Sequence, residues 1–227
     1  MPQGLARWIK QRAGVPDMGG RLHNLKAAGF ACTGAVDAGA FRGEWSRLAA
    51  ATFGCPILAI EPQDSPELEQ LAAQIDLRVA PVALGERVGE ATFMLEGSNS
   101  RIPSAEDEAY ATHTMTVPVE DLLTALRRHP ELSPNLLKLD LQGGELPTLL
   151  GAGAALNQFE VVIVEVSVIA IGGVPDFDEV HRFLTQAGYR LYDFLPTYYR
   201  PLDQALWQAD AFYVRNDSAL VASTRWQ

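Results

Sequence analysis

The run VDAGAFRGE has residue types that could bind a ligand, because an acid and two glycines follow an apolar stretch. Gly39 and Gly43 let the backbone approach a ligand closely. The helix predicted from Glu44 offers free N–H groups and a positive dipole end. Asp37 would repel a pyrophosphate but can accept hydrogen bonds from a cationic or neutral ligand. The spacing is not that of the dinucleotide motif GxGxxG, which has a third glycine. A plain tight turn is the alternative interpretation.

A second acid, Glu61, ends the apolar run ILAI and precedes Pro62. In nucleoside-binding α/β folds, an acid at the end of the second strand binds ribose hydroxyls, and ligands collect where the carboxyl ends of the strands meet. We expect Asp37 and Glu61 to lie together there, although Glu61 could instead be a surface acid. The third strand ends in small residues around Ala83, which would let an adenine lie flat.

Two further acids belong to apolar runs later in the chain. Asp140 ends the run LLKL and precedes two glycines that open a predicted helix at Glu145. Lys138 and Glu165 each interrupt an apolar run, and a buried charge is costly unless it is paired. Lys138 therefore needs an exit to solvent or an ion pair with a nearby carboxylate, and the ion pair is the simpler interpretation. For Glu165, pairing with Lys138 and a catalytic role are both open.

The elements that must position these residues follow from hydrophobic periodicity. Apolar runs alternate with amphipathic stretches, which is typical of βαβ units and a mostly parallel sheet. Helices are predicted over 4–13, 18–28, 44–53, 65–75, 119–128, 145–150 and 176–187. Strands are predicted over 31–37, 56–61, 77–83, 89–95, 114–118, 136–140, 161–166, 189–194 and 211–215. No convincing helix separates the last two strands, so we predict an α/β sheet that ends in an antiparallel hairpin.

Composition excludes several classes of protein. The chain has 227 residues, 48% hydrophobic and 20% charged, which is typical of a globular protein. The net charge of −10 argues against a nucleic-acid backbone as the main partner, although the first thirty residues are locally basic. No apolar run is long enough to span a bilayer. The amino terminus lacks the apolar core of a secretory signal, so a cytoplasmic location is expected.

The cysteines and histidines give no local sign of a metal site. Cys32 and Cys55 are too few for a disulfide scaffold or a zinc site, and we expect buried thiols. The four histidines lack the spacing of metal ligands, so no metal is predicted. A hard cation held by Asp140 and Glu165 is the alternative.

Five strings follow one another in the order and spacing of a known family. They are VDAGAFRGEWS, AIEP, APVALG, LLKLDLQGGELPTLLGA and VVIVEVS. Over residues 20–215 the chain resembles the FkbM-type methyltransferases. The resemblance implies a Rossmann-like class I methyltransferase that uses S-adenosylmethionine, with a seven-stranded, mostly parallel sheet, a final antiparallel strand and helices on both faces. We expect an N-terminal helical extension over residues 1–30 and a single methyltransferase domain over 31–227.

The resemblance also implies a cofactor site. The residues implied are Asp37, Gly39, Ala40, Gly43, Glu61, Pro62, Ala83 and Asp140. In that site Glu61 would hold the ribose, Ala83 would lie near the adenine and Asp140 near the methionine part. Two positions depart from the family pattern, since Phe41 stands where members often carry Asn, and Gln142 stands where they carry Glu. Gln142 can form hydrogen bonds but cannot act as a base.

The reaction implied by the resemblance is O-methylation of a small molecule, often at a sugar hydroxyl. A hydroxyl acceptor needs help to lose its proton, and the candidates are Asp140, Glu145, Glu165 and His113. Residues 97–113 and 167–175 would cover the acceptor. We expect a sugar- or glycan-like partner, no nucleic acid and no membrane span, and a homodimer is compatible with this interpretation.

Two other functions stay open at this point. A methyltransferase-fold binding protein with weakened catalysis would explain the departures at Phe41 and Gln142. A nicotinamide-dependent oxidoreductase would share the sheet and the role of Glu61, but it predicts a GxGxxG loop, which is absent, and no Tyr-xxx-Lys pair serves a short-chain reductase.

Overall fold

The computed structural model describes residues 16–103, 113–170, 176–223 and 225. Its helices are α1 (Met18–Ala27), α2 (Glu44–Phe53), α3 (Pro66–Ala72), α4 (Leu122–Arg127), α5 (Glu145–Ala152) and α6 (Phe177–Gln186). Its strands are β1 (Ala35–Ala38), β2 (Ile57–Ile60), β3 (Leu77–Ala80), β4 (Ala83–Leu84), β5 (Gly89–Met94), β6 (Thr114–Glu120), β7 (Leu136–Leu139), β8 (Val161–Ser167), β9 (Tyr189–Tyr199) and β10 (Leu206–Arg215). Every predicted strand within these ranges has a counterpart.

Seven strands form the main sheet, in the order β3-β2-β1-β7-β8-β10-β9. In this order β3, β2, β1, β7 and β8 pair in parallel with one another, whereas β10 is antiparallel to both β8 and β9. The predicted α/β class and final antiparallel hairpin are therefore confirmed. The strand order reverses between β1 and β7, and ligands of open α/β sheets bind at the carboxyl ends of the strands at such a switch point.

Helices cover both faces of this sheet because side chains alternate along each strand. On one face, α1, α2 and α3 pack through buried residues such as Leu22, Trp45 and Leu71. On the other face, α4, α5 and α6 pack through residues such as Leu122 and Leu149. Since β1, β2 and β7 are buried along their whole length, the charged side chains at their carboxyl ends are placed by a rigid core.

A second sheet of three strands, in the order β4-β6-β5, lies outside the main one. The prediction of one strand over 77–83 is wrong in extent. A turn around Pro81, in which the N–H of Val82 donates to the carbonyl of Ala80 (2.9 Å), ends β3 and redirects the chain. The two residues of β4 then pair with β6 instead.

The predicted helix over 119–128 is also shorter than expected. The strand β6 runs to Glu120, and α4 begins only at Leu122. Asp121 sets this start because its side chain accepts a hydrogen bond from the N–H of Thr124 (2.7 Å), as an N-cap residue does.

The last two strands are longer than predicted, with 11 residues in β9 and 10 in β10. Their hairpin extends past the carboxyl end of β8, where Gln208 pairs with Ser167. This extension brings side chains of the hairpin to the switch-point edge of the sheet.

Several predictions fall outside the described residues. They are the helix over 4–13 and the parts of the acceptor cover at 104–112 and 171–175. The division into an extension over 1–30 and a domain over 31–227 stays a prediction. None of the helices within the described ranges is long and apolar enough to cross a lipid bilayer.

The close approach of β1 to β7 gives a stability prediction. Gly39 has φ +78°, and a Cβ added there would lie 1.8 Å from the carbonyl oxygen of Asp140. Because that oxygen belongs to the backbone, it cannot move aside cheaply. We expect Gly39→Ala to lower the free energy of unfolding by about 3 kcal/mol or more, measured by urea denaturation.

Gly54→Ala is the matched control for this variant. Gly54 has φ +69°, but a Cβ there would meet nothing within 4 Å. Gly54→Ala should lower the free energy of unfolding only by the cost of holding an alanine in this left-handed backbone conformation, about 1 kcal/mol. Equal losses in the two variants would show that the contact with Asp140 is unimportant.

Candidate active site

Two of the cavities at the carboxyl ends of the central strands share part of their lining. The larger has a volume of about 340 Å³ and the smaller about 40 Å³. Four residues line both, namely Gly39, Glu61, Ser100 and Asp140. The predicted switch-point site is therefore one composite cleft, with Glu61 and Asp140 where the two parts meet.

The glycine loop after β1 is tied to the end of β2. The N–H groups of Gly39 and Ala40 donate to the carbonyl of Ile60, at 2.9 and 3.2 Å. The N–H of Phe41 donates to Glu61 Oε2 at 2.9 Å. Glu61 is buried, and its other oxygen accepts from the backbone N–H of Gln63 at 3.0 Å. Glu61 thus fixes the loop while its carboxylate remains on the wall of both cavities.

Phe41 adopts a backbone conformation that few side chains tolerate. Its φ of 48° lies in the left-handed region, which Asn enters more readily than bulky residues do. The family's frequent Asn at this position therefore matches the backbone, and Phe41 departs from it at some cost in strain. Its side chain lines the larger cavity.

Asp37 precedes the loop and Gly43 ends it, and neither residue lines a cavity of the cleft. Asp37 is fully buried and accepts a hydrogen bond from Ser46 Oγ at 2.7 Å. Burial raises the pKa of Asp37, although the charge of Lys138 opposes that effect. A Cβ on Gly43 would lie 2.6 Å from a methyl carbon of Leu71. Both residues therefore help to hold the loop in place.

Lys138 is the buried cation of the site. Its Nζ lies 2.9 Å from Asp140 Oδ2 and 3.8 Å from Asp37 Oδ1. Burial alone lowers the pKa of Lys138, but the two carboxylates outweigh it and raise that pKa above its ordinary value. The predicted ion pair of Lys138 with a nearby carboxylate is confirmed, with Asp140 as the nearer partner rather than Glu165.

Gln142 joins the two acids that face the larger cavity. Its Nε2 donates to Asp140 Oδ1 at 2.8 Å and to Glu165 Oε2 at 3.0 Å. Burial raises the pKa of Asp140, but Lys138 and Gln142 outweigh it, so the net pKa is lowered. At the same oxygen of Glu165, Nε2 of Gln208 donates at 3.3 Å. A Glu at position 142 could not donate these hydrogen bonds.

Glu165 is largely uncharged at neutral pH. Burial first, and then the negative charges of Asp140, Glu145 and Asp210, raise its pKa to about 9. Asp210 is its cross-strand neighbour in the pairing of β10 with β8. The site therefore presents an ionised acid and a neutral acid side by side, joined by one amide group.

Glu145 and His113, two further catalytic candidates, line neither cavity. The two oxygens of Glu145 accept hydrogen bonds from the N–H groups of Leu141 (2.6 Å) and Gly143 (2.9 Å). Burial raises the pKa of Glu145 to about 7. His113 is exposed just before β6, and its carbonyl accepts from the N–H of Leu95 (2.9 Å). Through these hydrogen bonds Glu145 holds the loop that carries Gln142.

The smaller cavity has an apolar wall. It is lined by Pro62, Val82, Ala83, Leu84, Phe93 and Ile102, among others. Pro62 and Ala83 thus lie on the wall of the same cavity as Glu61. Within the described part of the chain, no group of three or more His, Cys, Asp or Glu residues could hold a metal ion.

A family model now decides the class of protein. The model for the methyltransferase FkbM domain matches residues 37–191, which run from the second half of β1 to the start of β9. The chain belongs to the FkbM methyltransferase family. It is therefore an S-adenosylmethionine-dependent methyltransferase, as the sequence predicted, and the oxidoreductase interpretation is set aside.

Solved structures show the same fold for this methyltransferase. A 1,6-didemethyltoxoflavin-N1-methyltransferase of Burkholderia thailandensis, with 1,6-didemethyltoxoflavin and S-adenosylhomocysteine bound, matches with a TM-score of 0.50 and 15% identity, covering 94% of this chain and 83% of that one. Magnesium protoporphyrin IX methyltransferase of Synechocystis PCC 6803, with S-adenosylmethionine bound, matches at 0.50 and 10%, covering 94% and 92%. No curated protein matches the sequence. These likenesses confirm the Rossmann-like fold.

The structure adds residues of this methyltransferase that the sequence did not single out. Trp45, Ser100, Tyr198 and Gln208 line the larger cavity. Tyr198 and Gln208 come from the long β9–β10 hairpin, which was predicted too short. Neither residue type signals a ligand site by itself, so only the antiparallel pairing could have identified them.

The raised pKa of Glu165 predicts how stability depends on pH. A folded-state pKa of about 9, above the ordinary value of 4.5, means that the folded protein retains a proton that the unfolded chain releases. The resulting stability is fully present below the ordinary pKa and is lost as pH rises toward 9. In Glu165→Gln this loss should disappear, so the free energy of unfolding should fall less steeply between about pH 5 and 9.

Glu69→Gln, on the exposed side of α3, is the control and should follow the wild-type pH dependence. Chemical denaturation at a series of pH values measures both. Parallel curves for wild type and Glu165→Gln would contradict the proposed protonation of Glu165 in the folded protein.

Proposed function

We propose that this methyltransferase transfers a methyl group to a hydroxyl oxygen of a sugar or a sugar-like small molecule, and that Glu165 accepts the hydroxyl proton. The observation that carries the proposal is the wall of the larger cavity around Glu165. There a weakly acidic carboxyl group stands between the amides of Gln142 and Gln208. The amides can hold a hydroxyl group by hydrogen bonds, and the ionised form of Glu165 can accept the hydroxyl proton.

The linings of the two cavities suit different parts of the cofactor. The apolar wall around Ala83 suits an adenine ring, and the Glu61 carboxylate at the junction suits ribose hydroxyls. Glu61 accepts hydrogen bonds at both oxygens from groups behind it, and a carboxylate offers about four acceptor positions, so capacity remains for a ligand. Gly39 and Ala40 would flank the methionine part beside Asp140.

The charge of the larger cavity supports the same assignment. Of the described residues that line it, three are acids besides the neutral Glu165, namely Glu44, Glu61 and Asp140, against the cation Lys138. Such a lining attracts a cation and repels a pyrophosphate. When bound, S-adenosylmethionine supplies a methyl group on a positively charged sulfur. The same positive charge favours the ionised form of Glu165, because an opposite charge nearby lowers the pKa of a carboxyl group.

The acceptor side is rich in groups that bind hydroxyls. Serine, asparagine and glutamine side chains line the larger cavity at Ser98, Asn99, Ser100 and Gln208, and each can donate and accept hydrogen bonds. A molecule with several hydroxyl groups could satisfy them together. This composition supports a sugar-like acceptor.

The cofactor assignment predicts the effect of replacing Glu61. We expect Glu61→Gln to raise the dissociation constant for S-adenosylmethionine about 10- to 100-fold, since a hydrogen bond to a charged group contributes about 1.5–3 kcal/mol. Isothermal titration calorimetry measures this, with Glu69→Gln as the control. NADH should give no binding heat. Unchanged affinity in Glu61→Gln would remove the ribose assignment.

The role of Glu165 predicts a loss of turnover with retained cofactor binding. We expect Glu165→Gln to lower kcat about 10²- to 10⁴-fold, the range for removal of a general base. The substrate panel consists of methyl glycosides of common hexoses and their deoxy analogues, and formation of S-adenosylhomocysteine is the readout. For wild type, kcat/KM should rise with pH through a midpoint near 9, because only the ionised form of Glu165 accepts a proton.

Two controls make the result decisive. Glu69→Gln should keep wild-type turnover, and Glu165→Gln should still bind S-adenosylmethionine. An analogue that lacks the reacting hydroxyl should give no product. Cofactor binding without turnover on any hydroxylated acceptor would instead favour a binding protein, and an unchanged pH profile in Glu165→Gln would exclude it as the base.

A further inference from the structure

The two cysteines meet at the edge of the sheet opposite the active site. Cys32 precedes β1 and Cys55 precedes β2, so both lie at amino ends of parallel strands, whereas the cavities lie at carboxyl ends. Their Sγ atoms are 3.3 Å apart. Cys55 is buried and Cys32 is half-buried. The sequence suggested two ordinary buried thiols, but the structure makes them a contacting pair with one accessible member.

The backbone around Cys32 is fixed by the segment that leads into β7. The N–H of Thr33 donates to Asn135 Oδ1, and Asn135 Nδ2 donates to the carbonyl of Ala31, both at 2.9 Å. Thr33 Oγ1 donates to the carbonyl of Ser133 at 2.6 Å. Cys32 is therefore held on both sides by hydrogen bonds to a different part of the chain.

The backbone around Cys55 is fixed as well. Gly54 ends α2, and its N–H donates to the carbonyl of Ala50 at 2.8 Å. The carbonyl of Pro56 accepts from the N–H of Ala35 at 3.0 Å. Because folding has already placed both sulfurs, a reaction between them needs little further loss of chain freedom.

We propose that Cys32 and Cys55 form an oxidative modification site that takes a two-electron oxidant of the peroxide class and closes an internal disulfide. One thiolate sulfur attacks a peroxide oxygen, the O–O bond breaks, and a sulfenic acid and hydroxide form. The second sulfur then attacks the sulfenic sulfur, its S–H proton and the hydroxyl leaving as water. In total, two thiols and one hydrogen peroxide give one disulfide and two water molecules.

The contact between the sulfurs supports this chemistry in two ways. The hydrogen bond from Cys32 lowers the pKa of Cys55, although burial opposes it, and the thiolate is the reactive form. The second thiol is already in place, which favours the disulfide over further oxidation to the irreversible sulfinic acid.

The bridge would change the stability of the cofactor-binding half. It closes a loop over residues 32–55, which contains β1, the glycine loop and α2. A disulfide restricts the unfolded chain and stabilises the folded one. We expect Tm to rise by about 5–10 °C on oxidation, with the cavities at the other edge of the sheet unaffected.

The test uses the full chain treated with hydrogen peroxide, followed by thiol counting and intact mass spectrometry. The chain has two cysteines, so each thiol lost belongs to this pair. We expect both thiols to disappear, the monomer to lose the mass of two hydrogen atoms at the cysteines, and a peptide linking Cys32 with Cys55 to form. A phosphine reductant should restore both thiols. Two remaining thiols, a bridge between chains, or sulfinic acid would overturn the proposal.

Cys32→Ser is the matched control because this position is half-buried and the change is small. Its Tm should not rise with peroxide, and any effect of methionine oxidation will appear in it equally. An equal rise in Tm would also contradict the proposal. Neither readout depends on cofactor or acceptor, so this test and the tests of methyl transfer fail independently.

Discussion

The buried ion pairs of Lys138 hold the active site together. Lys138 lies in the middle of an apolar strand, where an unpaired charge would cost several kcal/mol, and such a cost is offset only by close partners. Asp140 supplies one partner from the position just after the same strand, and Asp37 supplies the other from β1. Because Asp37 and Lys138 are register neighbours, the interaction lies directly across the switch point at which the cleft opens.

The remaining acids of the site depend on this arrangement. With its charge matched by Lys138, Asp140 stays ionised and accepts a hydrogen bond from Gln142. The negative charge of Asp140 in turn contributes to keeping Glu165 protonated. Replacing Lys138 with an apolar residue would leave Asp37 and Asp140 without their cation. Asp140 and Glu165 therefore give the cleft an ionised and a neutral carboxyl group side by side, which suit a cation and a hydroxyl group respectively.

Much of this organisation could be predicted from sequence, because strand ends leave a clear pattern. Asp37, Glu61 and Asp140 each follow an apolar run, so their positions at one edge of a parallel sheet follow from periodicity alone. The partner of Lys138 could not be chosen that way, since register between β1, β7 and β8 depends on tertiary packing. Glu145 looked catalytic for the same reason as Asp140, but its oxygens bind backbone N–H groups of its own loop.

The acceptor side was less predictable than the cofactor side. Gln142, Gln208 and Tyr198 have no distinctive pattern, and two of them reach the cavity only because β9 and β10 extend beyond β8. The small sheet was also not predicted as a separate sheet, because the sequence predicts one strand where a turn at Pro81 separates β3 from β4. Where a side chain reaches the site only through the pairing of distant segments, the local spacing of residues does not predict its position.

A crystal structure of the chain with S-adenosylhomocysteine is the most direct test of this account. We expect adenine in the smaller cavity beside Ala83, ribose hydroxyls on Glu61, and the sulfur in the larger cavity on the side that faces Glu165. Binding of the nucleoside outside these two cavities, or a ribose without contact to Glu61, would contradict the account.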